Sequence, residues 1–148
     1  MTIFLLLLHG LSAVLLLGAI THQALALWAP TTSHGGWWDH LRAVHPERYT
    51  RMIIVLFSVT ALLGAISYPP FRAVARAEYL DAHAPWTVGL FEIKEHAAAI
   101  GLALLPAYWA VWRNAAEPRG RRAVTSLLTL ITWWNFLVGH VVNNVRGL

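Results

Sequence analysis

The sequence predicts an all-α integral membrane protein, an up-down bundle of four helices that form one transmembrane domain. Composition is the first reason: of 148 residues, 57% are hydrophobic and only 12% are charged, whereas soluble domains carry about a quarter charged residues. The second reason is the presence of four separate apolar stretches, since about 20 apolar residues of helix cross a bilayer. We therefore expect a multi-pass protein of a bacterial-type inner membrane, in contact with lipid.

The predicted spans cover residues 3–28, 52–68, 86–112 and 123–142. The first has no formal charge and no basic residue before it, so we expect a span rather than a secretory signal peptide. Pro69-Pro70 is expected to end the second span, because proline cannot continue the hydrogen-bond ladder of a helix. The third span carries charged residues in its first third.

The distribution of arginine predicts the orientation of the bundle. Seven arginines flank the first and third connections, and three lie in the second connection and the C-terminal tail. Short loops rich in Lys and Arg face the cytoplasm, so both termini should face outward, into a periplasm. The tryptophans near the span ends are typical of an interfacial aromatic belt. Because the basic residues are spread over short loops, we expect no nucleic-acid partner.

Three histidines are predicted to lie at one depth in the membrane. By helical rise, His9 lies about 9 Å, His96 about 12 Å and His140 about 9 Å below the outer face. Ionisable groups inside a bilayer are costly and mark functional sites. The first and third helices of an up-down bundle lie on a diagonal, with the fourth beside both. The three histidines could therefore hold a haem in the bundle core.

The residues around these histidines are small, as a porphyrin requires: Gly10, Ala13, Ala97, Ala98, Ala99, Gly101 and Gly139. The chain has no cysteine, which excludes thiolate metal sites and covalent c-type attachment. A haem would be b-type, with His96 and either His9 or His140 as axial ligands. His22 lies near the inner end on another face of its helix, and a second haem there would need His34, His40 or His45, so we expect one haem.

A four-span chain with buried His9, His96 and His140 resembles the small membrane b-type cytochromes that anchor respiratory complexes. The resemblance implies an electron-transfer subunit of a larger redox complex. Its partners would be other membrane subunits, a periplasmic electron carrier, and either quinone or a neighbouring cofactor.

The charged segment before His96 offers further candidates. Glu92 and His96 share a helix face because they are four residues apart. Glu92 and Glu95 could pass protons to or from a quinol at the outer leaflet. Lys94 is expected to point away from that face, extending toward the lipid headgroups, and it completes the candidate quinone or proton path.

Two other functions are open from the sequence. A non-haem copper, iron or zinc site could use Glu92, His96, His9 and His140, since imidazole and carboxylate suit these ions. Alternatively, the chain could be a cofactor-free accessory subunit of a respiratory or photosynthetic assembly. No residues indicate a self-contained soluble enzyme.

Overall fold

The computed structural model describes residues 3–29, 40, 45–114 and 117–146. Every long element in these ranges is a helix, and no strand occurs in them. The four main helices are α1 (Ile3–Trp28), α2 (Glu47–Pro70), α3 (Pro85–Arg113) and α4 (Pro118–Arg146). The predicted all-helical class is thus confirmed.

The helices form a ring in which each packs against two neighbours. α1 lies beside α2 and α4, and α3 lies beside α4 and α2, so that α1 and α3 are on a diagonal. Side-chain hydrogen bonds show that neighbours run in opposite directions: Gln23, late in α1, bonds Thr50, early in α2. We call the end formed by Trp28, Glu47, Arg113 and Pro118 the arginine end, and the opposite end the histidine end.

Three stretches of described helix are long and apolar enough to cross a membrane: α1, the continuous helix Glu47–His83, and Pro118–Val145 within α4. The predicted third span, residues 86–112, lies in α3 and does not belong to this set. Glu92, Lys94 and Glu95 in its first third lower the hydropathy of the helix, and polar or weakly apolar residues in its remainder, such as His96 and Pro106, keep it low. α3 nevertheless packs along α4 in the same bundle.

The prediction that Pro69-Pro70 ends the second helix is wrong. α2 continues into a π-helical segment, Phe71–Leu80, and a final turn, Asp81–His83. Pro70 has a helical φ of −64°, the angle to which the proline ring is already fixed. The amide of Phe71 still reaches the carbonyls of Ser67 and Tyr68. The wider turns that follow continue the helix after the two missing N–H groups.

The π-helical segment crosses the histidine end of the bundle. Its last residue, Leu80, is buried together with Ala84 against Val138 and Val142 of α4, the helix diagonal to α2. A single non-helical residue, Ala84, separates this segment from α3, with φ −149° and ψ 57°. The second connection is therefore helical and not a loop. We call the segment Phe71–His83 the helical cover.

The main core lies in the arginine half of the bundle. Ile20, Ile53 and Leu128 are fully buried there, and Leu16, Phe57, Leu105 and Ile131 complete the cluster with Tyr108 and Trp112. In lipid such a core is held by van der Waals packing rather than by the hydrophobic effect. Close approach of the helices is therefore essential, and Gly101 provides it: a Cβ at this position would overlap the ring of Phe57 and lie 3.2 Å from Ile131 Cγ2.

We expect Gly101→Ala to lower the free energy of unfolding by about 1–3 kcal/mol, because the added methyl group overpacks the core. Gly89→Ala, on the same helix, is the matched control, since nothing lies within 4 Å of its Cβ position. Gly89→Ala should instead raise the free energy of unfolding by about 0.5–1 kcal/mol, because alanine loses less conformational freedom than glycine when the helix forms. Reversible unfolding in mild detergent measures both, and equal effects of the two substitutions would contradict the packing described for Gly101.

Candidate functional site

His9 is the one member of the predicted trio that the bundle holds between its helices. Its ring is half-buried against α2, and Nδ1 donates a hydrogen bond to the carbonyl of Thr60, 3.1 Å away. Ser12 Oγ donates to the His9 carbonyl and accepts a bond from Thr60 Oγ1. Gly64 makes room for the ring, since a Cβ there would lie 3.3 Å from His9 Cε1. The orientation of this imidazole is thus fixed by Thr60 and Gly64 of α2.

Lys94 and Glu95 face the bundle within electrostatic range of His9. Lys94 Nζ is 2.9 Å from a Glu95 carboxylate oxygen. The Lys94 side chain is only 13% exposed, and its Cε is 3.7 Å from the Cβ position of Gly139 on α4. The expectation that Lys94 extends to the headgroups is therefore wrong. Gly139 leaves a space that the lysine stem fills, and the Glu95 carboxylate compensates the ammonium group.

His96 and His140 are both exposed. His96 Nδ1 donates to the carbonyl of Glu92, 2.7 Å away, one turn back on its own helix. The side-chain amide nitrogen of Asn144 donates a hydrogen bond to His140 Nε2, 2.9 Å away. Each ring is thus held by its own helix on an outward face, whereas His9 faces a neighbouring helix.

The three histidine residues therefore point in different directions. Lys94, two residues before His96, lies against Gly139, the residue before His140, so these two histidines lie at a similar height in the bundle. Within the described part of the chain, no group of three or more His, Cys, Asp or Glu side chains could hold a metal ion. The structure does not assemble the four-ligand non-haem site from His9, Glu92, His96 and His140.

Glu92 and Glu95 have separate surroundings. Glu92 pairs with Arg76 of the π-helical segment at 3.1 Å, and Arg76 also reaches Asp81 at 3.5 Å. These carboxylates are about half exposed, so the pairs stabilise the fold only weakly. Glu92 thus pairs with an arginine of the helical cover, whereas Glu95 pairs with Lys94.

His22, the low-priority second site, is half-buried near the arginine end. Its ring lies against Tyr49, with centroids 5.0 Å apart. Its Nδ1 is buried and has no hydrogen-bond partner among the described residues. His40 and His45 are exposed, and His34 lies outside the described residues. Within the described residues, the ring contact of His22 is with Tyr49 and no group of three or more potential ligands forms around it.

Sequence reasoning missed a buried polar network near the arginine end. Gln23 is fully buried, and its amide nitrogen donates to the carbonyl of Pro46 at 3.0 Å and to Thr50 Oγ1 at 3.3 Å. The hydroxyl of Tyr108, also fully buried, donates to Gln23 Oε1. This last bond joins α1 to α3 across the diagonal. The sequence feature that indicates this network is Gln23 itself, because an amide within an apolar span must find hydrogen-bond partners inside the protein.

The aromatic belt also needs a correction. Trp112 is 6% exposed and donates a hydrogen bond from Nε1 to Thr125 Oγ1 at 3.1 Å. It is therefore a core residue and not an interfacial anchor. Trp28 and Trp86 are exposed, whereas Trp37 and Trp38 lie outside the described residues. The sequence does not separate these cases, because both kinds of tryptophan fall near helix ends.

We expect Tyr108→Phe and Gln23→Leu to destabilise the protein non-additively. Tyr108→Phe removes one hydrogen bond and leaves the buried Gln23 Oε1 without its donor. Gln23→Leu removes three, to Tyr108, Pro46 and Thr50. Each buried group left unsatisfied costs about 1–3 kcal/mol. The double variant removes both polar groups and should cost less than the sum of the two, with a coupling of about 0.5–3 kcal/mol. Unfolding of the four proteins in detergent measures this cycle. Additive losses would show that the two side chains do not interact.

The relation of this chain to known proteins is the last observation on the site. Comparison with protein-family models, with curated proteins and with solved structures finds no match. The function of the site therefore has to be inferred from the geometry of its own residues.

Proposed function

We propose that this chain is a membrane haem b subunit that carries electrons within a larger redox assembly, with His9 as an axial ligand. The hydrogen bond from His9 Nδ1 to the Thr60 carbonyl carries the proposal. It fixes the tautomer in which Nε2 has no proton, the form of imidazole that binds iron. The same bond, together with the packing on Gly64, holds the ring in one orientation.

The surroundings of His9 fit a haem group in composition. Lys94 supplies a largely buried ammonium group, the kind of cation that haem carboxylates bind, and it pairs here with Glu95. The glycines at 64 and 139 admit the His9 ring and the Lys94 stem between the helices. A bound haem would supply one-electron chemistry, and the chain would supply the ligand and its orientation.

The second ligand is proposed to be His96 rather than His140, which requires the His96 ring, outward in this structure, to turn toward His9. The Nδ1 of His96 donates to a carbonyl, as in His9, which leaves Nε2 free of a proton. In His140 the Nε2 atom is already engaged with Asn144. Both rings face away from the bundle interior, and an ionisable side chain in contact with lipid is costly. Their exposure therefore favours a neighbouring membrane subunit that covers this surface.

Glu95 is the proposed acid for proton exchange near the haem, and Glu92 is not. Glu95 is 42% exposed and acts on His9, so it lies between the interior and the surface. A quinol at the outer leaflet or a periplasmic electron carrier would be the redox partner at this end.

A cofactor-free accessory subunit is the second candidate. The outward direction of His96 and His140 favours it, because side chains on an outer surface serve contact with a partner as well as they serve ligation. The non-haem metal site is not proposed, since the described residues assemble no set of ligands for it.

The orientation of the bundle is also a proposal, and it rests on the arginine distribution. With both termini outward, Glu78 of the helical cover lies outside the membrane and Arg119 at the start of α4 lies in the cytoplasm. Because the chain has no cysteine, Glu78→Cys and Arg119→Cys each introduce a unique thiol. We expect a membrane-impermeant maleimide to label the Glu78→Cys protein in intact cells, and the Arg119→Cys protein only after permeabilisation. The reverse labelling pattern would show that the bundle has the opposite orientation, with both termini in the cytoplasm.

The haem proposal predicts a b-type α band in the reduced-minus-oxidised spectrum of the purified protein, at about one haem per chain. We expect His9→Gln to lose most of the bound haem, because it removes the oriented ligand. His140→Gln should keep it. His83→Gln is a matched control at the same end, since its ring is exposed and held by Tyr79 of its own helix.

A featureless spectrum from folded protein expressed with ample haem would reject the haem subunit and leave the accessory subunit. Unchanged haem content in the His9→Gln protein would reject the assignment of His9. Loss of haem in the His83→Gln protein would point to a general defect in folding. Helical circular dichroism and elution volume distinguish folded variants from unfolded ones.

A further inference from the structure

A cleft lined by arginine and tryptophan lies at the arginine end, on the outer surface between α2 and α3. Its volume is about 390 Å³, and it is open to the surroundings. Glu47, Arg48, Thr50 and Arg51 of α2 form one side, and Trp109 and Arg113 of α3 form the other. None of these residues belongs to the candidate haem site, which is at the opposite end.

Two guanidinium groups are held in the cleft by one aromatic ring. The Cζ atoms of Arg51 and Arg113 lie 5.9 Å and 5.7 Å from the centroid of a Trp109 ring. Cations at this distance are attracted to the face of an indole. Arg48 lies one turn before Arg51, hence on the same face of α2. Three positive charges from two helices thus converge on a single cleft.

These charges are not neutralised within the described part of the chain. No ion pair there involves Arg48, Arg51 or Arg113. The one carboxylate of the cleft, Glu47, faces Arg121 at 3.8 Å. Arg121 also donates to the carbonyls of Val111 and Asn114 and so occupies the negative C-terminal end of α3. The cleft therefore keeps an excess of positive charge.

The N-terminus of α2 adds to this field. The helix begins at Glu47 after Pro46 without a side-chain cap, and the amides of Arg48 and Tyr49 donate to the carbonyls of His45 and Pro46. A helix N-terminus carries a partial positive charge and favours anions. The arginines and the helix end point to a ligand with concentrated negative charge, of which a phosphate group is the usual biological form.

The position of the cleft favours a lipid as the source of that phosphate. Met52 and Val55 are exposed one turn further along α2 from Arg48 and Arg51, on the same helix face. Acyl chains could cover these apolar side chains while the headgroup meets the arginines. Basic pockets between helices on the cytoplasmic side of membrane proteins are suited to anionic headgroups.

We propose that this cleft binds the phosphate headgroup of an anionic phospholipid, with Arg48, Arg51 and Arg113 as its cationic contacts and Trp109 as their common support. The proposal rests on the membrane location of the chain and does not depend on haem. Its ligand would be a structural lipid of the leaflet that the arginine end faces.

The test uses the full chain, purified in mild detergent and stripped of lipid. Binding of phosphatidylglycerol and phosphatidylcholine is measured by native mass spectrometry and by the shift in melting temperature. We expect tighter binding of phosphatidylglycerol, by about tenfold or more. Arg51→Gln combined with Arg113→Gln should remove most of that preference, and Arg48→Gln alone should remove part of it. The three arginines are exposed, so these variants are expected to fold.

Arg72→Gln combined with Arg119→Gln is the matched control, since it removes two exposed arginines that lie outside the cleft. It should leave the lipid preference intact. Equal binding of the two lipids, or equal loss in the control and the cleft variants, would overturn the proposal. Inorganic phosphate forms a further arm: stabilisation by phosphate as large as by phosphatidylglycerol, lost in the same variants, would assign the cleft to a soluble anion instead. Loss of haem with intact lipid binding would leave this proposal standing.

Discussion

The hydrogen bonds of a single buried amide are the interaction on which this bundle depends. Gln23 is fully buried and binds the end of the first connection, the start of α2 and Tyr108 of α3. α1 and α3 are diagonal and do not pack along one another, so this bond ties the two halves of the ring together. An unsatisfied amide in hydrocarbon costs several kcal/mol. The register of three helices is therefore set at one level, and the apolar packing around it follows.

From that level the two ends of the molecule diverge. Toward the arginine end, the core is dense and arginines stack on tryptophans, as Arg121 does on Trp112 and Arg122 on Trp28. Toward the histidine end, the interior becomes polar, with His9, Lys94 and Glu95 near one another. A charged interior is costly in a membrane, and a cofactor or a partner subunit is a physical reason to maintain it. The dense end would then supply the rigidity that holds the polar end in place.

The helices could be predicted from the sequence, but the directions of the histidine side chains could not. Depth follows from counting residues along a helix, and the count is insensitive to rotation. Direction depends on which face each helix turns to its neighbours, and the nearly uniform apolar composition of these helices leaves that face undefined.

His96 and His140 were expected in the core and are exposed. Lys94 was expected at the headgroups and lies against Gly139, because a glycine on a neighbouring helix made space that no pattern in α3 could reveal. Pro69-Pro70 does not end the helix, because the proline ring fixes a φ that is already helical. The loss of two N–H donors is absorbed by the wider turns that follow.

The helical cover at the histidine end has a mechanical consequence. Between Glu47 and Arg113, only Ala84 departs from a helical conformation, and it is buried. The angle between the cover and α3 is therefore governed by two backbone torsions of one residue. Because Ala84 is buried against Val138 and Val142 of α4, these torsions have little room to change, and a tilt of α2 is expected to move α3 with it. α2, the helical cover and α3 are thus expected to move together as one unit that is bent at Ala84.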